Sequence, residues 1–419
     1  MRLLAVIALV CLSGLSETTW SHQAAPGPSD VAIWKADLQF LATQLPKLHV
    51  NPFSTISEQA FLQRIERATS RIGGMRDDER FVELSRIVAA IGDAHTGIAY
   101  RPKAALPLML YRFRDGLFIT NVTEDRKDVL DGQILAVDGR PYAEIERAIA
   151  EMVPHENEAQ VWKSIPNYLT SLEILHGLGV VSAADRATLT VKKANGETVQ
   201  VSLAPLSMTS RPAWAVPVND TANLPLYRRN QDKFYWYQYL PDSKTFYFKY
   251  NSCRQMKDRS FESVVGEVLQ GIDQTPGARL VVDLRNNGGG DSGIFEPLLS
   301  GLKARPAFRQ KGALFVVIGR QTFSSAVLNA VELKRDTAAV FVGEPTGGKP
   351  NHFGEVRTVK LPGTGLDLSY STKYFKESSV DTPSLDPDLR VDLTIADLRA
   401  KRDPVMAAIL ATKTGARQP

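Results

Sequence analysis

Cysteine is almost absent: two residues in 419, Cys11 and Cys253, which excludes a disulfide scaffold and any CxxC zinc or redox motif. A surplus of either charge is also missing. Fifty Lys and Arg stand against 46 Asp and Glu, a net of +4 without a basic block, so nucleic acid is not the expected partner. The six histidines form no HxxxH or HExxH spacing, and neither a metal nor an organic cofactor is implied. No uncharged run reaches the roughly 20 residues of a membrane span. The longest, Leu3 to Leu15 after Arg2, predicts a secretory signal peptide over residues 1–24 and a chain exported to a periplasmic or extracellular location. What remains is ordinary: 43% hydrophobic and 23% charged residues, enough chain for two or three packed domains.

Hydrophobic spacing then divides the chain. Residues 28–100 read as a helical N-terminal region, with Ile33, Leu38, Leu41 and Leu45 near helical period. Residues 106–204 read as a small module of strands enclosing one or two helices, with GLFITNV and GQILAV as strands, turns at Asp138-Gly139 and Asn195-Gly196, and AEIERAIAEMV as an amphipathic helix. From 230 to 395 the pattern becomes α/β. Leu280 to Leu284 and Leu314 to Ile318 are continuously apolar, as strands of a parallel sheet covered on both faces should be. A C-terminal helix and tail fill 396–419.

Three segments at strand ends can carry chemistry. In VVDLRNNGGGDSG, Gly288, Gly289 and Gly290 allow backbone N–H groups to approach an anion or a developing oxyanion, although such a run also serves as a plain turn. In GRQTFSSAVLNA, Ser324 precedes a helical pattern. There it is either a nucleophile whose oxyanion is held by the next N–H, that of Ser325, or an ordinary N-cap. In GEPTGGKPNHFGE, Lys349 follows a buried strand; a lysine is a general base only where burial lowers its pKa from about 10.4 toward neutrality. His95 in GDAHTG is the other candidate base, because an imidazole needs little tuning near neutral pH.

Together these segments resemble the tail-specific, or C-terminal processing, serine peptidase family. Asp283, Leu284, Arg285, Asn287, Gly289 and Gly290 match its D-L-R-x-N-x-G-G signature, and Thr346, Gly348 and Lys349 match its lysine turn. LDGQILAVDGRPY looks like its PDZ segment. The resemblance implies an α/β protein with a ClpP/crotonase-like core, an inserted PDZ-like module and the helical N-terminal region. GDAHTG is similar to the segment that supplies a catalytic histidine in tricorn-type relatives, where a serine and a histidine work with an acidic partner. Where the processing peptidases have a Ser-Ala-Ser run and T-F-G-K-G, this chain has Phe323-Ser324-Ser325-Ala326 and Thr346-Gly347-Gly348-Lys349.

The expectation is an exported serine peptidase acting on peptides or proteins. Ser324 forms the acyl-enzyme, Ser325 with Gly288 and Gly289 supplies the oxyanion site, and His95 or Lys349 is the base, His95 being slightly preferred. The alternative is a noncatalytic ligand-binding or PDZ adaptor protein on the same scaffold, with the aromatic run Tyr235 to Tyr239 lining an apolar pocket.

Overall fold

Apolar periodicity becomes two structural units in the computed structural model, which describes residues 31–216 and 223–412. The expected signal peptide lies outside the described residues. One unit comprises residues up to 216 together with 353–375; the other comprises 223–352 and 376–412. The sequence reading groups 353–375 with the α/β region, but these residues form a strand pair that belongs with the N-terminal unit.

In that unit, helices Val31–Thr43, Glu58–Arg71 and Asp77–Ala89 bury Leu38 and Leu41, Phe61 and Ile65, and Leu84, Ile87 and Val88 against one another, the expected stripes at helical period. Ser57 caps the second helix by accepting from the Ala60 N–H at 3.2 Å. Strands His352–Lys360 and Asp367–Phe375 pair, and the short strand Gly97–Ile98 adds to the second of them. Buried Asp37 fastens their turn, accepting from the N–H of Gly363 at 2.7 Å and the hydroxyl of Thr364 at 2.6 Å.

The small module is an antiparallel sheet in the order Leu108–Phe113, Gly116–Val122, Gln133–Val137, Ala187–Lys192, Thr198–Leu203. Asp138 and Gly139 both have positive φ, 45° and 78°, as a tight hairpin turn requires. Beyond the expected helix Tyr142–Ala150, the segment between the last turn and the fourth strand forms Glu158–Leu169 and Leu172–Gly177. The first of these packs on the edge strand Leu108–Phe113. Arg112 of that strand stacks on Trp162 at 4.4 Å and pairs with Glu146 at 3.1 Å.

The other unit carries a six-stranded sheet in the order Tyr235–Leu240, Thr245–Tyr250, Arg279–Asp283, Leu314–Ile318, Val340–Gly343, Leu389–Arg390. The first pair is antiparallel and the rest parallel. Alternate residues feed separate cores: Leu280, Val282, Leu314 and Val316 pack with helices Phe261–Asp273 and Ser325–Asp336, whereas Val281, Phe315 and Val317 pack with helix Pro404–Ala411. Burial on both faces is why these strands show no polar alternation. Tyr235 and Trp236 are buried in those two cores and Tyr239 is exposed, so the aromatic run is packing and not the lining of a ligand pocket. The chain is mixed α/β.

Candidate active site

The loops that leave Asp283, Ile318 and Gly343 come from three adjacent parallel strands at their carboxyl ends, the edge where open α/β sheets present ligand-binding loops. The first is the glycine turn, the second carries Ser324 and the third carries Lys349. Buried Thr322 ties them together: its hydroxyl donates to the carbonyl of Leu284 at 2.9 Å, and its carbonyl accepts from the N–H groups of Gly347 at 3.1 Å and Gly348 at 3.3 Å. Phe323 N–H donates to the Asn287 carbonyl at 3.0 Å.

Ser324 stands at the N-cap position of helix Ser325–Asp336 with φ 50° and ψ −130°, and its side chain makes no capping hydrogen bond. An ordinary serine cap sits in the β region and spends its hydroxyl on an orphan N–H. Here a non-glycine residue is held at positive φ with that hydroxyl uncommitted among the described residues, a strained geometry met at nucleophile turns. Ser325 is different: its hydroxyl donates to the Gly290 carbonyl at 2.6 Å.

The glycine turn packs directly on Ser324. A Cβ on Gly289, whose φ is 104°, would stand 2.8 Å from the Ser324 Cβ, and one on Gly290, with φ 137°, 2.2 Å from the Cys253 carbonyl oxygen. Among the described residues the N–H groups of Gly288 and Ser325 have no acceptor, whereas Gly289 N–H is engaged by Asn287 Oδ1 at 2.9 Å. Gly289 is therefore corrected from donor to spacer: its hydrogen bond is spent inside the turn, and its lack of a side chain makes the room. Gly289→Ala is expected to cost more than about 2 kcal/mol of stability through strain and overpacking, read from chemical denaturation.

Lys349 is 22% exposed and pairs with Asp381 at 3.0 Å. Asp381, at 60% exposure, is thus occupied by the lysine. An ammonium in such a pair must surrender its charge and the contact before it can accept a proton.

His95 lies in the N-terminal unit, and its surroundings are organised by Asp93, which is fully buried. Oδ1 of Asp93 accepts from the His95 backbone N–H at 2.9 Å and stands 3.8 Å from His95 Nδ1. Oδ2 accepts from Thr96 Oγ1 at 2.5 Å, Ser371 Oγ at 2.6 Å and His49 Nε2 at 3.0 Å. His49 Nδ1 accepts from the Asn51 N–H, so its proton sits on Nε2, facing the carboxylate. The His95 side chain is only 7% exposed.

Burial alone would push the Asp93 carboxyl up, but the hydrogen bond from His49, the charge of His95 and the hydroxyls of Ser371 and Thr96 outweigh it and hold the group at about 2. A carboxyl lowered from 3.8 in the unfolded chain contributes stability that is full above pH 4 and is lost as the pH falls toward 2. That is about 2 kcal/mol. Asp93→Asn should flatten the stability profile between pH 4 and pH 2, as followed by urea unfolding.

No protein-family model and no curated protein matches the sequence. Solved structures do. Mature CPAF complexed with lactacystin superposes with a TM-score of 0.65 at 16% identity, covering 90% of this chain and 97% of that one. The fold is that of CPAF. The CPAF S499A mutant covers 92% of this chain and 99% of its own at a TM-score of 0.62 and 15% identity. The photosystem II D1 C-terminal processing protease matches with a TM-score of 0.41 at 13% identity, covering 86% of this chain and 93% of its own. The likeness to mature CPAF is one of fold.

Within the CPAF-like fold, one unit brings together Ser324, Ser325, the three glycines and the Lys349 turn, and His95 belongs to the other. Sequence reasoning missed Asp93, His49 and Ser371. Asp93 was legible as the acid two residues before His95, but His49 and Ser371 are 44 and 278 positions from it, distances that carry no local pattern. Among the described residues no three His, Cys, Asp or Glu side chains form a metal-binding group, and no helix is long and apolar enough to cross a membrane.

Proposed function

We propose that the chain is an exported serine peptidase that cleaves peptides or proteins through an acyl-enzyme on Ser324. The observation that carries this reading is Ser324 itself: positive φ at a helix start, a hydroxyl that caps nothing, and beside it the uncommitted N–H of Ser325. A tetrahedral intermediate on Ser324 would place its oxyanion toward the N–H groups of Ser325 and Gly288, and such donors are worth about 3 kcal/mol each to the transition state. His95 is the preferred general base, with Lys349 as the competing one. The core is read as ClpP/crotonase-like and the small module as PDZ-like.

The test is reaction with a fluorophosphonate probe together with hydrolysis of casein. Labelling confined to Ser324 is expected. A folded protein that neither takes up the probe nor cleaves casein would return the chain to the noncatalytic adaptor reading.

A further inference from the structure

Strand Thr245–Tyr250 is buried along its whole length, and every side chain on it is apolar or aromatic except those of Thr245 and Lys249. Lys249 is entirely enclosed. Its ammonium donates to Asp283 Oδ1 at 3.0 Å and to Asn286 Oδ1 at 2.9 Å. Asp283 in turn accepts from the Tyr247 hydroxyl at 2.6 Å and from the Arg285 backbone N–H at 3.0 Å, and the Arg285 guanidinium grips Asp403 with two bonds of 3.0 and 2.9 Å.

A buried ion pair contributes little net stability, since desolvation offsets its attraction. Burial pulls the Lys249 ammonium down to about 8 against the opposing charge of Asp283. Replacing the lysine alone by methionine would remove the cation and leave the Asp283 carboxylate to Tyr247 and Arg285. The arrangement does, however, reach the glycine turn. Asn286 has the Lys249 ammonium as its one hydrogen-bond partner among the described residues. The next residue, Asn287, takes the Gly289 N–H on its side chain and the Phe323 N–H on its carbonyl, and the peptide after it carries the Gly288 N–H.

We infer that Lys249 is a positioning residue for the oxyanion site, acting through Asn286 to orient the Asn287–Gly288 peptide. This rests on the Ser324 reading above. Asp283 serves as the internal counter-charge that lets a cation stand at this depth, which explains the acidic first position of the motif. The charged groups around the ammonium are Asp283, Arg285 and Asp403, and of these only Asp283 bonds to it.

The decisive variant is Asn286→Ala, which leaves the Lys249–Asp283 pair intact and removes only the link to the turn. Its unfolding midpoint should fall only modestly, because the Lys249 ammonium keeps Asp283 as a partner. Its kcat on casein-derived peptides should fall about tenfold with KM within about twofold, and fluorophosphonate labelling of Ser324 should slow by the same factor, as expected for a donor displaced from its position and not deleted. Lys249→Met should show the same kinetic loss, and the double variant should be no slower than either single one. Wild-type labelling rates in Asn286→Ala, or additive losses in the double variant, would overturn the inference. Wild-type protein that does not label at all would overturn the Ser324 reading instead, so the two failures are distinct.

Discussion

Ser324→Ala is expected to abolish casein hydrolysis and fluorophosphonate labelling, a loss of at least about 10⁴-fold in kcat, while the thermal unfolding midpoint stays unchanged or rises. The size follows from covalent catalysis: without the hydroxyl no acyl-enzyme forms, and only binding and the oxyanion donors remain. The stability half follows from the uncapped hydroxyl: alanine keeps the Cβ, and with it the strain at φ 50°, and removes a side-chain oxygen that makes no cap. Ser325→Ala is the control for register. Its hydroxyl is committed to the Gly290 carbonyl, so its loss should reduce activity only modestly. If Ser325→Ala is the inactive variant and Ser324→Ala is not, the nucleophile is one residue further on.

The identity of the base gives the second large effect. His95→Ala should lower kcat by at least about a hundredfold, the usual contribution of a general base, and Lys349→Ala by less. His95 is enclosed, and the buried carboxylate of Asp93 stands 3.8 Å from its Nδ1, an acidic neighbour of the kind a general-base imidazole uses. The Lys349 ammonium is already satisfied by Asp381. The reverse ranking of the two variants would point to a serine–lysine mechanism.

Much of this was written in local pattern. Strand Leu314–Ile318, helix Ser325–Asp336 and the turn at Asp138-Gly139 follow from runs and residues that decide their own backbone. The helix Glu158–Leu169 was not anticipated: its buried face of Val161, Ile165 and Leu169 keeps helical spacing, but Pro166 inside it reads locally as a helix breaker. Gly289 was singled out as a donor because glycine runs expose N–H groups, yet which N–H is left over depends on where the Asn287 side chain turns.

By itself, the sequence determined most of the elements, the two-sided burial of the parallel strands and the short list of reactive side chains, since each depends on neighbours within a few positions. Only the tertiary structure decided which of those side chains are spent. Ser325, Gly289 and Lys349 are engaged by Gly290, Asn287 and Asp381, Asp93 is held by groups 44 and 278 residues away, and Lys249 is enclosed beneath the glycine turn. Hydrogen-bond commitment and burial arise from chain segments meeting in space, and no spacing along the chain encodes them.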